Sequence, residues 1–442
     1  MKKFERKNDM KKVALHNLGC KVNAYETEAM QQLLEQAGYE IVPFDVGADI
    51  YIINTCTVTN IADRKSRQML HKAKKMNPEA IVVAAGCYVQ AAGEELKQDE
   101  AIDLIIGNNK KKDLVAILQA YEAGRQEESL IDINHTREYE GLSMTKTSEH
   151  TRAYVKVQDG CNQFCSYCII PYARGRVRSR SMEDVQSEIQ QLAANGYQEV
   201  VLTGIHLSSY GVDLEGEDLL SLIKMVHEIE GIRRIRLGSL EPRIVTEEFA
   251  RTLAGMEKMC PHFHLSLQSG CNATLKRMNR RYTAEEYAEK CQLLRSTFQN
   301  PALTTDVIVG FPGETEEEFA QTVEFLKQIQ FFETHIFKYS RRKGTRAAEM
   351  EHQIPEEVKA ERSRILLELD RENTKRYVME QIGCRVEILI EEEVSINGIS
   401  CQVGHTKEYI RAAVISDKNL TNQIVSASVE ELLDERLFLC KL

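Results

Sequence analysis

Short apolar runs alternate with longer amphipathic stretches from Val13 onward, the spacing expected of strands followed by helices and hence of a mostly parallel sheet. β-rich runs at residues 13–18, 49–53 and 80–84 are each followed by a helical period, at 26–37, 61–75 and 89–97. A further pair, 102–106 and 111–122, completes a unit of flavodoxin-like size over residues 11–124. Residues 125–150 are polar, carry one short apolar run and read as a linker. The alternation resumes at Ala153. Strands are expected at 153–158, 199–203, 234–237, 262–267, 303–309 and 334–339, with helices at 182–195, 218–230, 246–256, 283–297 and 315–330. Six such units are fewer than the eight of a closed (β/α) barrel, so residues 151–380, ending in a long charged helix at 356–380, predict a partial (β/α)6 barrel open to something large. After Gly383 the pattern shortens to β-type runs at 385–391, 399–404, 409–414, 423–429 and 436–441, which predicts a small closed or nearly closed β barrel over residues 381–442. The fold class is α/β in three parts.

Composition agrees with three globular domains in 442 residues, with 43% hydrophobic and 28% charged positions. No run of about 18 apolar residues and no charged-then-apolar leader is present, so the expectation is a cytoplasmic protein with no membrane partner. The formal net charge of -10 argues against nucleic-acid binding through a globally positive field. Basic residues nevertheless cluster at Arg64, Lys65, Arg67, Lys72, Lys74 and Lys75, at Arg174, Arg176, Arg178 and Arg180, at Lys276, Arg277, Arg280 and Arg281, and at Arg341, Arg342, Lys343 and Arg346. Each reads either as a local nucleic-acid contact or as a solvated face.

Twelve cysteines in a long chain without a leader point to metal ligation or catalysis rather than disulfides. Cys161, Cys165 and Cys168 lie in QDGCNQFCSYC, directly after the first barrel strand. A CxxxCxxC loop can give three thiolates to one 4Fe-4S cluster and leave the fourth iron open for S-adenosylmethionine, into whose sulfonium an electron can pass to release a 5'-deoxyadenosyl radical. Zinc is the other reading, but it usually takes four ligands and paired CxxC motifs. Cys20, Cys56 and Cys87 each end an apolar strand, in HNLGC, IINTC and AAGC. Ligands of open parallel sheets bind beyond the carboxyl ends of the strands, so these three cysteines are placed to converge, with Gly19 and Gly86 permitting close backbone approach and Asn23, Asn54 and Thr55 orienting the loops. Taken singly, each is as readily a small buried hydrophobe. Cys260, Cys271, Cys291, Cys384, Cys401 and Cys440 share no pattern, although Cys271 follows the fourth barrel strand.

The carboxyl ends of the barrel strands nominate Tyr167, Thr203, Gly204, His206, Glu241, Gln268, Ser269, Asp306 and Gly310 for contact with a nucleoside cofactor. Glu241 suits ribose hydroxyls or an ammonium, Gln268 and Ser269 are expected to face the cavity, and the turn at Gly310–Gly313 would offer backbone to adenine. Ordinary βα turns also use Gly, Pro and a capping Thr315. Asp306, on an apolar strand, needs a partner.

With these pieces in place, nearly the whole chain resembles the methylthiotransferase family of radical S-adenosylmethionine enzymes. LGCKVN, NTC and GC, then DGCNQFCSYCIIPYARGRVRSR, LQSGCNATLKRMNRRY and TTDVIVGFPGETEEEF carry the likeness, and VQDGCNQFC, RGRVRSRS and VVLTGIHLSSYG look most like the branch acting on N6-threonylcarbamoyladenosine in tRNA, 3' of the anticodon. The resemblance implies two 4Fe-4S clusters, a radical cluster on Cys161, Cys165 and Cys168 and an auxiliary, sulfur-carrying one on Cys20, Cys56 and Cys87. It implies S-adenosylmethionine as both methyl and radical source, with methyl and sulfur ending on C2 of the adenine. The terminal barrel resembles a TRAM RNA-binding domain, with His405, Lys407, Tyr409 and Arg411 as contacts to the tRNA anticodon loop. From Glu380 onward eleven acidic residues face six basic ones, a balance of -5, which is low for an RNA grip. His16, where a small or hydroxyl residue is expected, is a further departure. An electron donor of flavodoxin type and a sulfur source are implied partners. Rival readings are the same chemistry on isopentenyladenosine or on a ribosomal-protein aspartate, and a non-catalytic two-cluster electron-transfer protein.

Overall fold

The computed structural model describes residues 10–125, 127–146, 151–396 and 398–442. The polar start at 1–9 and the expected linker's residues 126 and 147–150 lie outside them. The described residues divide into two compact units, one drawn from 10–144 with 158–162 and 168–180, the other from 145–157, 163–167 and 181–442.

In the first unit β1 (Lys12–Asn17), β2 (Glu40–Ile41), β3 (Ile50–Thr55), β4 (Ile81–Gly86) and β5 (Leu104–Ile106) form a parallel sheet in the order β2-β1-β3-β4-β5. The run IYII can be continuously apolar because both faces of the sheet are covered. Ile50 and Ile52 face α1 (Lys21–Gln36) and, further along the chain, the 114–122 helix, whereas Tyr51 and Ile53 face α2 (Asn60–Met76) and α3 (Cys87–Leu96). Helix α1 begins five residues before the expected position because Cys20, in extended geometry, serves as its N-cap. Helix α3 begins two residues early because Gly86, at φ +96°, turns the chain straight out of β4. The stretch read as a linker has no helix or strand over 127–146, yet it is tied down within this unit. Ile133, Leu142 and Met144 are buried, Tyr25 Oη donates to Leu142 O at 2.8 Å, and Gln90 Nε2 donates to Ile131 O at 2.8 Å.

The second unit carries six parallel strands, β6 (Arg152–Asp159), β8 (Glu199–Gly204), β9 (Arg234–Leu237), β10 (His262–His264), β11 (Ala302–Val309) and β12 (Glu333–Lys338). The last two residues of β6 pair antiparallel with β7 (Arg178–Ser179), and that pair counts with the first unit. Isolated bridges Ile235↔Met259 and Leu240↔Leu265 join the β6–β9 and β10–β12 sheets. Strand β10 stops earlier than the sequence predicts because the chain then makes single bridges to its neighbours and turns at Gln268, where φ is +74°. Along β11 the period of two sends Leu303, Val307 and Val309 into the helix-covered core and leaves Thr304, Asp306 and Ile308 on the opposite, interior face.

Strands β13 (Arg385–Ile396), β14 (Ile399–Thr406), β15 (Arg411–Val414), β16 (Ile424–Asp434) and β17 (Leu437–Lys441) close a barrel in the order β13-β14-β15-β17-β16. Gly404 allows the closure, since a Cβ there would lie 1.8 Å from Leu389 O. Among the described residues no helix is long and apolar enough to cross a membrane.

Candidate functional site

Within the first unit the carboxyl ends of β1, β3 and β4, which are neighbours in the sheet, each lead into one cysteine: Cys20, Cys56 and Cys87. The approach is close, because a Cβ on Gly19 would stand 2.9 Å from Cys56 Cβ and 3.0 Å from its Sγ. A Cβ on Gly86 would stand 2.5 Å from Asn54 Oδ1, so both glycines are required by space as well as by positive φ. Asn23 Nδ2 donates to Leu18 O and Thr55 O, Asn54 Nδ2 to Asn23 O, and Thr55 Oγ1 to Ala85 O, which locks the three loops to one another. Cys20 caps α1 and Cys87 opens α3, so both stand at helix starts. Burial pushes the Cys56 thiol up to about 11. Cys20 opens to solvent on one side, but the protein around its other sides raises it too. A bound metal must therefore displace protons from these sulfurs.

Behind Cys87 lies a group of buried ions. Arg174 donates from Nε to Cys87 Sγ at 3.1 Å, from Nη1 to Glu26 Oε1 at 2.7 Å and to Asp159 at 3.2 Å, and from Nη2 to Asn23 Oδ1 at 2.7 Å and Glu26 Oε2 at 3.0 Å. Lys111 Nζ reaches Glu26 Oε2 at 2.9 Å, and Arg178 shares Asp159. Arg174 and Arg178 are fully buried and Arg180 is 5% exposed, so three of the four arginines in this basic run are neither solvated nor open to a phosphate, against both sequence readings. Arg174 and Arg178 are inside because carboxylates, Glu26 and Asp159, meet them there, while Arg180 donates to Tyr25 Oη at 3.3 Å.

The Cys161–Cys168 loop follows β6. Cys161 and Cys168 count with the first unit, where Cys161 N donates to Gly175 O and a Cβ on Gly160 would strike Arg176 O at 1.8 Å. Cys165 counts with the second, where Arg280 Nη1 donates to its Sγ at 3.2 Å. There Asn279 Nδ2 donates to Phe164 O, and Ser166 N and Oγ donate to Met278 O and Arg277 O. Tyr167 packs edge-on to Phe311, ring centres 6.4 Å apart. Arg280 thus serves the cysteine loop rather than an outer face.

At the strand ends of the second unit, Thr203 is buried beside Gly204, and Glu241, 7% exposed, pairs with Arg243 at 2.7 Å. His206 Nδ1 lies 2.7 Å from Ser209 Oγ, and burial, with Arg280 and Arg243 nearby, pushes the ring down to about 4. Gln268 donates its backbone N–H to Asp306 O at 2.8 Å. Asp306 is only half-buried and pairs with His264 Nε2 at 3.1 Å, while His264 Nδ1 lies 3.0 Å from Thr304 Oγ1 and its ring stacks on His335. Ligand-capable atoms of His264, Asp306 and His335 lie within 4.8 Å of one another. Neither histidine was singled out from the sequence, although the alternation in HFHLSL already puts His264 on the interior face. Two residues differ from expectation. Ser269 is fully buried against Thr322 Oγ1 at 3.1 Å, on the helical layer rather than the cavity. At Gly310, φ +69°, the space of a Cβ is filled by Lys359, and its N–H is held by Glu314, so Lys359 covers this backbone on that side.

The terminal barrel's expected RNA contacts also turn inward. Tyr409 stacks between His262 and His405, ring centres 5.3 and 4.6 Å away, with the guanidinium groups of Arg152 and Arg236 at 5.1 and 4.7 Å from its centre. His405 pairs with Glu391, Lys407 Nζ bonds Glu257 O and Glu387, and Arg234 and Arg236 donate to the carbonyls of His405 and Lys407. The reason is a carboxylate: Glu199, fully buried at the start of β8, draws Arg234 and Arg236 together and leaves their remaining N–H groups for the β14–β15 turn. Arg411 alone of the four stays exposed, 3.7 Å from Glu392.

Residues 155–326 match the Radical SAM superfamily, and residues 12–107 match the uncharacterized protein family UPF0004. The chain is 41% identical over 423 residues, 95% of its length and 94% of the relative's, to the threonylcarbamoyladenosine tRNA methylthiotransferase MtaB of Bacillus subtilis (strain 168). It is 35% identical over 436 residues, 97% of its length and 95% of the relative's, to the tRNA-2-methylthio-N(6)-dimethylallyladenosine synthase of Clostridium tetani. In three dimensions it is similar to the radical S-adenosylmethionine methyltransferase TsrM of Kitasatospora setae, with a TM-score of 0.57 at 17% identity over 77% of this chain and 74% of that one, a likeness of fold alone.

Proposed function

The chain belongs to the radical S-adenosylmethionine tRNA methylthiotransferases, and on that premise we propose that it adds a methylthio group to C2 of N6-threonylcarbamoyladenosine beside the tRNA anticodon. The observation that carries this reading is the meeting of Cys20, Cys56 and Cys87 at three adjacent strand ends, in a chain that also holds the Cys161, Cys165, Cys168 loop. Three cysteines per set, without the paired CxxC motifs usual for zinc and with glycine backbone and N–H donors beside Cys56, Cys87 and Cys165, suit an iron-sulfur cluster with one open position better than structural zinc. When bound, the two 4Fe-4S clusters and S-adenosylmethionine supply one-electron chemistry and sulfur, which an aromatic C–H with no acidic proton requires.

The protein's own part is to hold and orient. Thr203, Gly204, Glu241 and Gln268 line the strand ends where a nucleoside cofactor would lie, Tyr167 steadies the cysteine loop through Phe311, and Asp306, fixed by His264, presents a carboxylate on the interior face. His206 stays neutral at pH 7, so it can donate or accept but adds no charge. For the tRNA backbone, exposed Arg64, Lys65, Lys72 and Lys75 on α2 replace the inward-turned arginines and the inward-turned residues of the terminal barrel. A flavodoxin-type donor and a separate sulfur source complete the reaction, in the cytoplasm where tRNA is modified.

Mass spectrometry of tRNA nucleosides from cells with and without the gene tests the substrate. Loss of 2-methylthio-N6-threonylcarbamoyladenosine with accumulation of its parent is expected. Loss of the isopentenyl analogue instead would transfer the reading to the substrate class of the 35% identical relative, and an unchanged profile would point to a ribosomal-protein aspartate. Cys161→Ala should abolish S-adenosylmethionine cleavage, while Cys56→Ala should keep cleavage and abolish sulfur insertion. Equal loss of cleavage in two folded variants would contradict this division.

A further inference from the structure

The buried ions behind Cys87 do more than fill space. We propose that Arg174, aided by Asn108, is a positioning residue that raises the reduction potential of the cluster on Cys20, Cys56 and Cys87 by hydrogen bonding to Cys87 Sγ. This rests on the reading that the triad holds a cluster, with Sγ standing for a ligating thiolate.

The geometry leaves Arg174 no other arrangement. A guanidinium has five N–H donors, and the four on Nη1 and Nη2 are taken by Glu26, Asp159 and Asn23, which aims the fifth, on Nε, at sulfur 3.1 Å away. Arg174, Glu26 and Asp159 are all 1% exposed or less, so no water competes for these bonds. The second donor is fixed in the same way. Lys111 Nζ can only donate, and it lies 2.6 Å from Asn108 Oδ1, so Asn108 must turn its NH2 toward Cys87 Sγ at 3.6 Å and Ala173 O at 2.7 Å. Cys20 and Cys56, by contrast, are served by the backbone N–H groups of Asn23 and Val58. One of three sulfurs therefore carries a cationic donor.

Buried ion groups are a poor source of stability, because desolvation offsets their attraction. Donors to a ligating sulfur have a definite electronic effect: they stabilise the more electron-rich, reduced cluster. The electron added on reduction would settle beside the guanidinium, in a medium that screens it little.

The test uses the full chain with Cys161, Cys165 and Cys168 all changed to Ala, reconstituted anaerobically, so that one triad can hold iron. EPR-monitored redox titration then compares this parent with the same chain carrying Arg174→Lys, which keeps a charge for Glu26 and Asp159 but has no donor at the Nε position. A tenfold or greater shift of the one-electron equilibrium toward the oxidised form, about 59 mV to more negative potential, is expected, with a smaller shift of the same sign for Asn108→Ala. Full iron content with a shift of less than about twofold in both variants would overturn the inference. A parent chain without about four irons would instead overturn the reading of the triad. Where Arg174→Lys does not fold, pulsed EPR of the reduced parent containing 15N-guanidino arginine decides: a 15N coupling supports the bond, and its absence refutes it.

Discussion

Glu199→Gln is the sharpest test of how the second unit is held together. Glu199 is fully buried, its Oε1 2.7 Å from Arg236 Nε and its Oε2 3.6 Å from Arg234 Nη1, and both arginines are themselves buried. Burial alone would push the carboxyl up, but Arg236, Arg234 and Arg152 outweigh it and hold the group below its usual range. The amide keeps the shape and removes the charge, leaving Arg234 and Arg236 without their shared anion, whereas Arg152 keeps Glu391 at 2.9 Å. Loss of one partner from a buried ion group costs about 3–5 kcal/mol, which at about 2–4 °C per kcal/mol for a body of this size predicts a drop in Tm of about 6–20 °C. Thermal unfolding followed by circular dichroism measures it, repeated at high salt, which should rescue little because buried charges are poorly screened. A second arm follows from the sign of the shift. A depressed carboxyl contributes stability above its unfolded value and loses it as pH falls, so the gap between wild type and Glu199→Gln should close below about pH 4. A drop under about 2 °C, or a gap that widens in acid, would refute the claim that Glu199 organises this region.

Three further outcomes are expected. His206, held down at about 4 against an ordinary 6.5, takes up a proton later than the unfolded chain does. Stability should therefore fall as pH drops from about 6.5 to about 4, by roughly 2–3 kcal/mol after allowance for partial exposure, and urea titrations of His206→Asn should show less of this slope. Gly86→Ala should lower iron bound at the Cys20, Cys56, Cys87 triad while the circular dichroism spectrum persists, because the new methyl meets Asn54 and the Thr55 carbonyl at 2.5 and 2.9 Å; unchanged iron would show that the loop can give way. Tyr409→Leu removes two guanidinium–ring contacts worth about 0.5–2 kcal/mol each, so the unfolding free energy from urea titration should fall by about 1–4 kcal/mol, whereas Tyr409→Phe should lose less.

Most of the fold was legible because apolar runs in parallel sheets are unbroken: 50–53 and 81–85 announce β3 and β4 without any partner in view. The CxxxCxxC loop announces itself by spacing. The second triad was legible only through the rule that strand ends share a crevice, and that rule names Cys20, Cys56 and Cys87 without saying what surrounds them. Charges misled for a physical reason. Whether an arginine is solvated or buried depends on what meets it, and Arg174 meets Glu26 across 148 positions of sequence. The same holds for Asp306 and His264, 42 apart, and for Tyr409, whose φ of +72° turns it away from the strand expected to begin there. Local pattern fixes elements, while long-range ion pairing fixes which charges remain available.

The seating of Tyr409 among Arg152, Arg236, His262 and His405 also changes what the terminal barrel is for. A module on a tether samples many positions and selects partners by affinity alone. Pinned at the floor of the barrel strands, this one has no such freedom: whatever bound its outer face would be held at a set span from Asp306 and the strand ends. Selection by length would then be added to selection by chemistry, and a ligand with the right base at the wrong distance would be rejected without a single unfavourable contact to that base.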